Sequence, residues 1–307
     1  MYDAVVVGGG AAGLSAALVL GRQKRSVLVL DGGRPRNAPA AEMHMYLGRD
    51  GRPPAALLAD GRAELAAYPS VELRRAEAVA ASGVTGGFRL TLADGGEVDS
   101  HRLLLATGQT DVPWDVPGLA ERWGSSVFHC PFCHGYETDG KTVAVVGNGP
   151  DTMLAAYVRD RYSPDVVVCT NGPADIPGPV SDALAALGVA VVETPVAGVD
   201  GELDALTVRF TDATTLPRDA IFHRAPTRPN TALAAQLGCV VLPDGCVRVD
   251  EYSRTSVPGV FAAGDAAHLE AVPEPATLVA PAAAAGVCAA VWLEQDLFRS
   301  RLPVPLG

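Results

Sequence analysis

At 307 residues with 48% hydrophobic content, the chain can bury a large core and divides more readily into two domains than it holds as one. A formal net charge of −11 without any basic stripe argues against a nucleic-acid surface. No apolar run reaches the roughly 20 residues that cross a bilayer, and the opening YDAVVV has no basic leader before it, so the chain reads as cytoplasmic, with no membrane partner.

Tyr2 to Val7 is a short β-rich run, followed by GGGAAG and by small and aliphatic residues from Leu14 to Gly21 that suit a buried helix. A second strand, Ser26 to Leu30, ends at Asp31, which completes a βαβ opening of dinucleotide-fold length. Arg102 to Leu105 is a further apolar strand. Near the middle the pattern restarts: KTVAVVG from Lys141 to Gly147 is a strand, Thr152 to Tyr162 a helix, and Asp165 to Thr170 a strand. Such a near-repeat predicts a second Rossmann-like unit, with the Pro- and Gly-bearing stretch Val112 to Gly118 as the crossing point. Val260 to Ala263 is a late strand, and the Ala-rich Pro281 to Leu293 a buried helix.

Gly8, Gly10 and Gly13 satisfy G-x-G-x-x-G directly between a strand and a helix, with Asp31 closing the next strand. Glycines there let the backbone turn and approach a pyrophosphate, the helix N-terminus meets its charge, and Asp31 can accept a ribose hydroxyl. The bland alternative is a strand-to-helix turn that binds nothing. Thr107-Gly108 and Gly264-Asp265 each follow an apolar strand, and each alone reads as a glycine-bearing strand end.

His129-Cys130-Pro131-Phe132-Cys133-His134 carries the most information. Cysteines at i and i+3 can close a small disulfide ring, the motif lowers a thiol pKa, and His134 can carry protons near neutral pH. Six cysteines in so long a chain do not make a secreted disulfide scaffold. Three other readings compete. A closed zinc site needs four converging ligands, and no second C-x-x-C exists. Haem attachment fits C-x-x-C-H formally but suits an exported chain. Buried, inert thiols are the third. Cys169, Cys239, Cys246 and Cys288 have no pairing pattern and read as core or incidental; no metal site is expected.

With FHCPFCHGYETDGKTVAVVGNG, the GGGAAG and ATG turns, TSVPGVFAAGD and the AAAAGVCAA helix, nearly the whole chain resembles the low-molecular-weight thioredoxin reductases. The resemblance implies an α/β fold of two Rossmann-like domains, the second inserted into the first. Residues 1–112 and 247–307 would form an FAD domain, and 113–246 an NAD(P)H-domain-like unit carrying the C-x-x-C. It further implies FAD contacts at the three glycine-bearing turns, Cys133 against the flavin, Cys130 as interchange thiol, and a homodimer.

Departures from the reductases gather where NADPH would bind. The second turn reads Gly147-Asn148-Gly149-Pro150-Asp151-Thr152, the next strand leads into Cys169-Thr170-Asn171-Gly172, and a later one into Arg224-Ala225-Pro226. The arginines that would grip a 2′-phosphate are missing from the second strand loop. These changes, with CPFCHGYE and RNAPAAEMHMYLGRDG, resemble the thioredoxin-reductase-like dithiol oxidases of the holomycin, gliotoxin and romidepsin pathways. That resemblance implies a small-molecule dithiol as substrate and dioxygen as acceptor, with His44 and Arg49 near the flavin or substrate mouth; a plain surface loop is the alternative. An NADPH- or ferredoxin-fed disulfide reductase and a non-catalytic flavin-containing dithiol-binding or redox-sensing protein remain as rivals.

Overall fold

A computed structural model describes residues 1–302; the end of the expected FAD domain, 303–307, lies outside the described residues. The chain divides into two compact units, one of residues 1–36, 45–110 and 227 onward, the other of 37–44 and 111–226. Residues 227–246, expected with the insertion, cluster with the first unit. The cause is burial: the short helix Ala232–Gln236 sets Leu233 and Ala234 into the same apolar cluster as Leu90 and Val98, and Gln236 accepts the Ala81 N–H at 2.8 Å.

In the first unit, the strands Val71–Arg74, Val27–Leu30, Tyr2–Val7 and Glu97–Leu105 lie parallel in that order, and Val260–Ala262 pairs parallel with Glu97–Leu105. Strands fully buried on both faces, such as Val27–Leu30, need no alternation, which is why VLVL is continuous. Gly87–Leu92 and Ala78–Val84 extend the sheet antiparallel. The helix Ala11–Arg22 follows the first strand, and the 22-residue helix Val279–Ser300 packs across it. Gly286 permits that approach: a Cβ there would lie 2.0 Å from the Ala12 carbonyl oxygen. This last helix runs past the predicted Leu293 because its polar end has partners. Glu294 accepts from Arg25 at 2.8 Å, and Asp296 accepts from Arg102.

The second unit is built on five parallel strands ordered Ala190–Val192, Asp165–Cys169, Thr142–Val146, Ala220–Phe222 and Val127–Phe128. Met153–Arg161 and Gly178–Ala186 are its crossover helices. An antiparallel meander, Val196–Asp200, Leu206–Phe210 and Thr215–Arg218, went unread in the sequence, although LTVRF alternates buried and half-buried positions as a two-faced strand should. Among the described residues, no helix is long and apolar enough to cross a membrane.

Candidate active site

Sheet register decides which turns meet. In the first unit Val7 pairs with Leu30 and with Leu105, and Leu105 pairs with Ala262. Gly8, Asp31, Ala106 and Ala263 therefore stand abreast at the carboxyl edge of the parallel strands, where ligands of open α/β sheets bind. Gly8 sits at φ +119, and a Cβ on it would come within 2.0 Å of the Ala106 oxygen. At Gly13 an added Cβ would lie 1.8 Å from the Gly8 oxygen, whereas at Gly10 it would meet nothing within 4 Å. Gly10 is also the N-cap of Ala11–Arg22, with no side-chain cap hydrogen bond, so the helix offers its first backbone N–H groups outward. Two glycines thus close the turn and the third keeps it open, a cradle shaped for a pyrophosphate.

The remaining predicted contacts line the same edge. Asp31 is buried; its Oδ1 accepts the Gly33 N–H at 2.7 Å and its Oδ2 accepts from Arg62 at 2.8 Å. Thr107 and Gly108 follow the strand Glu97–Leu105, and their carbonyls accept from Asn230 at 3.0 and 2.9 Å. Beyond Val260–Ala262, Gly264 turns at φ +73 and Asp265 pairs with Arg36 at 3.3 Å. Arg36 was not singled out in the sequence; its only signal was a basic residue in the loop after the second strand.

The second unit uses its carboxyl edge differently. Val145 pairs with Phe222, and Phe222 with Phe128, so Gly147, His223 and His129-Cys130 leave the sheet close together. Cys130 is the N-cap of a single turn, Pro131–His134, and its carbonyl accepts from the N–H groups of Cys133 and His134 at 3.1 and 3.2 Å. Both cysteines are of intermediate burial. His134 stacks on Phe128, centroids 4.3 Å apart and planes 13° from parallel. Burial lowers its pKa; Glu137 opposes that, and His44 adds to it. The His44 Nε2 lies 3.4 Å from Glu137 and 3.7 Å from Glu42. Glu137 and His44 thus stand close enough to His134, the residue after Cys133, to bear on its charge. Glu137 had gone unremarked as a functional residue, although its place three residues after His134 was visible.

Arg49 pairs with Asp60 at 2.9 Å in the first unit and lines a cavity of about 170 Å³ with Leu14, Leu18 and Tyr46. His129 lies against the Trp123 ring, centroids 6.0 Å apart. His223 is buried and tautomerically fixed: its Nε2 accepts the Trp114 N–H at 3.1 Å, so its Nδ1 donates to the Val146 carbonyl at 2.7 Å.

Where a second nucleotide would bind, the Asn148 side chain ties the turn to the loop after the next strand. The Asn148 amide accepts from the Gly149 and Asp175 N–H groups at 2.9 and 2.8 Å and donates to the Pro173 carbonyl at 2.9 Å. Asn171, at φ +55, accepts from Val196, and Ala174 donates to the Glu193 carboxylate at 2.9 Å. The loop after Asp165–Cys169 thus faces a carboxylate. Arg224, the nearby cation, pairs with Asp151 at 3.6 Å. A hollow of about 50 Å³ remains between Trp114, Asn148, Asp151 and Arg224, against the roughly 300–1,000 Å³ usual for ligand pockets.

Two glycine-turn α/β units, one with a C-x-x-C at its sheet edge, define a disulfide oxidoreductase, and the pyridine nucleotide-disulphide oxidoreductase family model matches residues 2–286. The chain belongs to that family. Within it the protein is thioredoxin-reductase-like, as CPFCHGYE implied. It is 35% identical over 291 residues to Thioredoxin reductase tcpT of Claviceps purpurea, covering 89% of each chain. It is 32% identical to Thioredoxin reductase sirT of Leptosphaeria maculans, covering 87% of each. The crystal structure of HlmI superposes with a TM-score of 0.88 at 38% identity, over 96% of this chain and 92% of that one.

Proposed function

We propose that the protein is an FAD-dependent dithiol oxidase that converts a small-molecule dithiol to an intramolecular disulfide. The carrying observation is the loop beside the second turn. Asn148 ties down the loop 170–175, and Glu193 stands where a cation would be needed, so electrons are better supplied by a thiol than by NADPH. The first unit's residues fit FAD, because Gly8 and Gly13 close the turn, Gly10 leaves open the space a Cβ would fill, and Asp31 is a buried acceptor beside it. A ribose hydroxyl would share or displace the Arg62 contact.

In this reading a substrate thiolate attacks the Cys130 sulfur of the oxidised pair; the Cys130–Cys133 bond breaks and Cys133 leaves as a thiolate. The second substrate thiol then attacks the substrate sulfur of the mixed disulfide, closing the product ring and releasing the Cys130 thiolate. Two electrons have passed to the cysteine pair, and the substrate's two protons leave through His134, which burial keeps neutral and able to accept them. Bound FAD would take the electron pair from the dithiol and hand it to dioxygen. The resemblance assigns Cys133 to the flavin side and Cys130 to the substrate side.

Anaerobic mixing tests this. Small dithiols are expected to bleach the flavin, NADPH to leave it oxidised, and admitted air to restore the colour with peroxide formed. Fast bleaching by micromolar NADPH would return the protein to the reductases. Colourless protein that cannot be reconstituted with FAD would remove the flavin altogether.

A further inference from the structure

Cys246 was read as incidental, but the fold gives it company. The turn Leu242 to Cys246 is closed by the Leu242 N–H on the Cys246 carbonyl at 2.8 Å and leads into the strand Val247–Val249, which pairs parallel with Ala267–Leu269. That pairing sets His268 beside the turn. Asp244, Cys246 and His268 each offer one ligand atom, and the three atoms lie within 4.8 Å of one another. We propose that Asp244, Cys246 and His268 bind a divalent zinc-like cation, with water completing a tetrahedral site.

Each side chain is already held as a ligand would be. The His268 Nδ1 lies 2.9 Å from the Leu269 carbonyl; a carbonyl only accepts, so Nδ1 carries a proton and donates it. That is the outer hydrogen bond by which metal-binding histidines are oriented, and it leaves Nε2 as the inward atom. Nε2 faces the Asp244 Oδ2 at 2.8 Å, so both atoms stand where one metal could take them. The other Asp244 oxygen is fixed by the Cys246 N–H at 3.0 Å. Gln109 donates to the Cys246 sulfur at 3.4 Å while holding the Asp265 carbonyl at 2.6 Å, a donor suited to a coordinated thiolate.

Charge and access agree with this assignment. Burial, then the Asp244 carboxylate, pushes the Cys246 thiol up to about 12, so the sulfur keeps a proton unless a metal replaces it. Zinc entry therefore expels the Sγ proton, and the site of one thiolate, one carboxylate and neutral imidazole balances the +2 ion. Cys246 is fully buried and His268 nearly so, but the Asp244 side chain is 32% exposed, which leaves an entrance. Bond lengths of about 2.0–2.3 Å put tetrahedral ligands about 3.3–3.6 Å apart; side-chain rotation of the order of an ångström reaches that from the present spacing. The soft sulfur and the imidazole favour zinc or cobalt over magnesium or calcium.

Titrating Co²⁺, and separately Zn²⁺, into flavin-loaded full-length protein tests the proposal. One equivalent per chain is expected, with a thiolate-to-cobalt charge-transfer band, cobalt ligand-field bands beyond the flavin absorption, and release of the thiol proton in weak buffer. Cys246→Ser and His268→Gln should each weaken binding by at least about 100-fold, and the exposed Asp244→Asn by about 10–100-fold. The double variant Cys130→Ser/Cys133→Ser should bind as before, which separates this site from the C-x-x-C. Should the buried variants fail to fold, Asp244→Asn and the proton count still decide. No bound metal, metal bound without a thiolate band, or binding lost with Cys130 and Cys133 but kept in Cys246→Ser would each overturn the proposal.

Discussion

The two sheets present the same edge to different ends. In the first unit the carboxyl edge offers backbone: Gly8, Gly10 and Gly13 carry no side chain, and the helix begins at once at Ala11. In the second the edge offers side chains, with Cys130 and His134 just past Val127–Phe128, His223 just past Ala220–Phe222, and Asn148 across the turn. A 3-10 turn, Gly149–Thr152, intervenes before the helix. The lesson is that the repeated strand-turn-helix plan does not fix what a unit binds. A bare turn can cradle a phosphate, whereas a turn tied down by an amide and flanked by a carboxylate is better suited to supporting its neighbours.

That contrast is most directly broken with glycine substitutions. Gly13→Val drives a side chain into the Gly8 carbonyl and should cost upward of about 4 kcal/mol, read as loss of flavin and of the cooperative melt. Gly10→Ala adds a Cβ in open space, so the fold should survive while flavin retention drops. Gly147→Ala, equally open in the second unit, should change stability by no more than about 0.5 kcal/mol and leave flavin content and turnover alone. Equal flavin loss in Gly10→Ala and Gly147→Ala would dissolve the distinction.

Next in size is His134→Ala, expected to keep the flavin and slow dithiol turnover by about 10²–10⁴-fold. Because burial lowers the His134 pKa from 6.5, the wild-type rate should hold down to pH 6.5 and fall only below it. An acid limb starting above pH 7 would remove His134 as the proton acceptor.

His223 sharpens the comparison through stability. Protonating it would set a second N–H against the Trp114 N–H, and burial lowers its pKa below 6.5. The unfolded chain then takes up the proton first, so stability is complete above pH 6.5 and declines as the pH falls through the window below it. His223→Gln should destabilise by about 1–3 kcal/mol at neutral pH and flatten part of that acid decline in thermal melts. A decline of unchanged steepness would assign it elsewhere.

The smallest effect is expected from Asn148→Gly. Releasing the loop 170–175 should cost about 1 kcal/mol, yet NADPH should still fail to bleach the flavin, since no cation is gained. Bleaching in the variant would mean that Asn148 alone bars the nucleotide.

Much of this was legible in the residues because it is local. G-x-G-x-x-G, Asp31 and the C-x-x-C follow from spacing, and the parallel strands read as continuous apolar runs. What stayed hidden depends on register or on distant partners. His223 matters because Phe222 pairs with both Val145 and Phe128, and no periodicity in FHRAP announces that. Residues 37–44 join the second unit, which brings His44 to Glu137 across more than ninety residues of sequence. Asp244, Cys246 and His268 meet only through the pairing of two three-residue strands, each too short to stand out. The 227–246 segment was misplaced for a similar reason, since Leu233 and Ala234 give no sign of which sheet they cover.

The seat of Gly286 on Ala12 has a consequence for how the chain matures. The helix behind the Gly8 turn is covered by Val279–Ser300, far later in the chain, whereas nearly all of the second unit is one uninterrupted stretch, 111–226. As domains tend to fold as units while the chain emerges, the inserted unit can finish while the first waits half-built. During that interval Ala12, Ala16 and Leu20, fully or almost fully covered in the finished protein, are bare to the surrounding solution, and the period of greatest exposure to aggregation ends only when Val279–Ser300 leaves the ribosome.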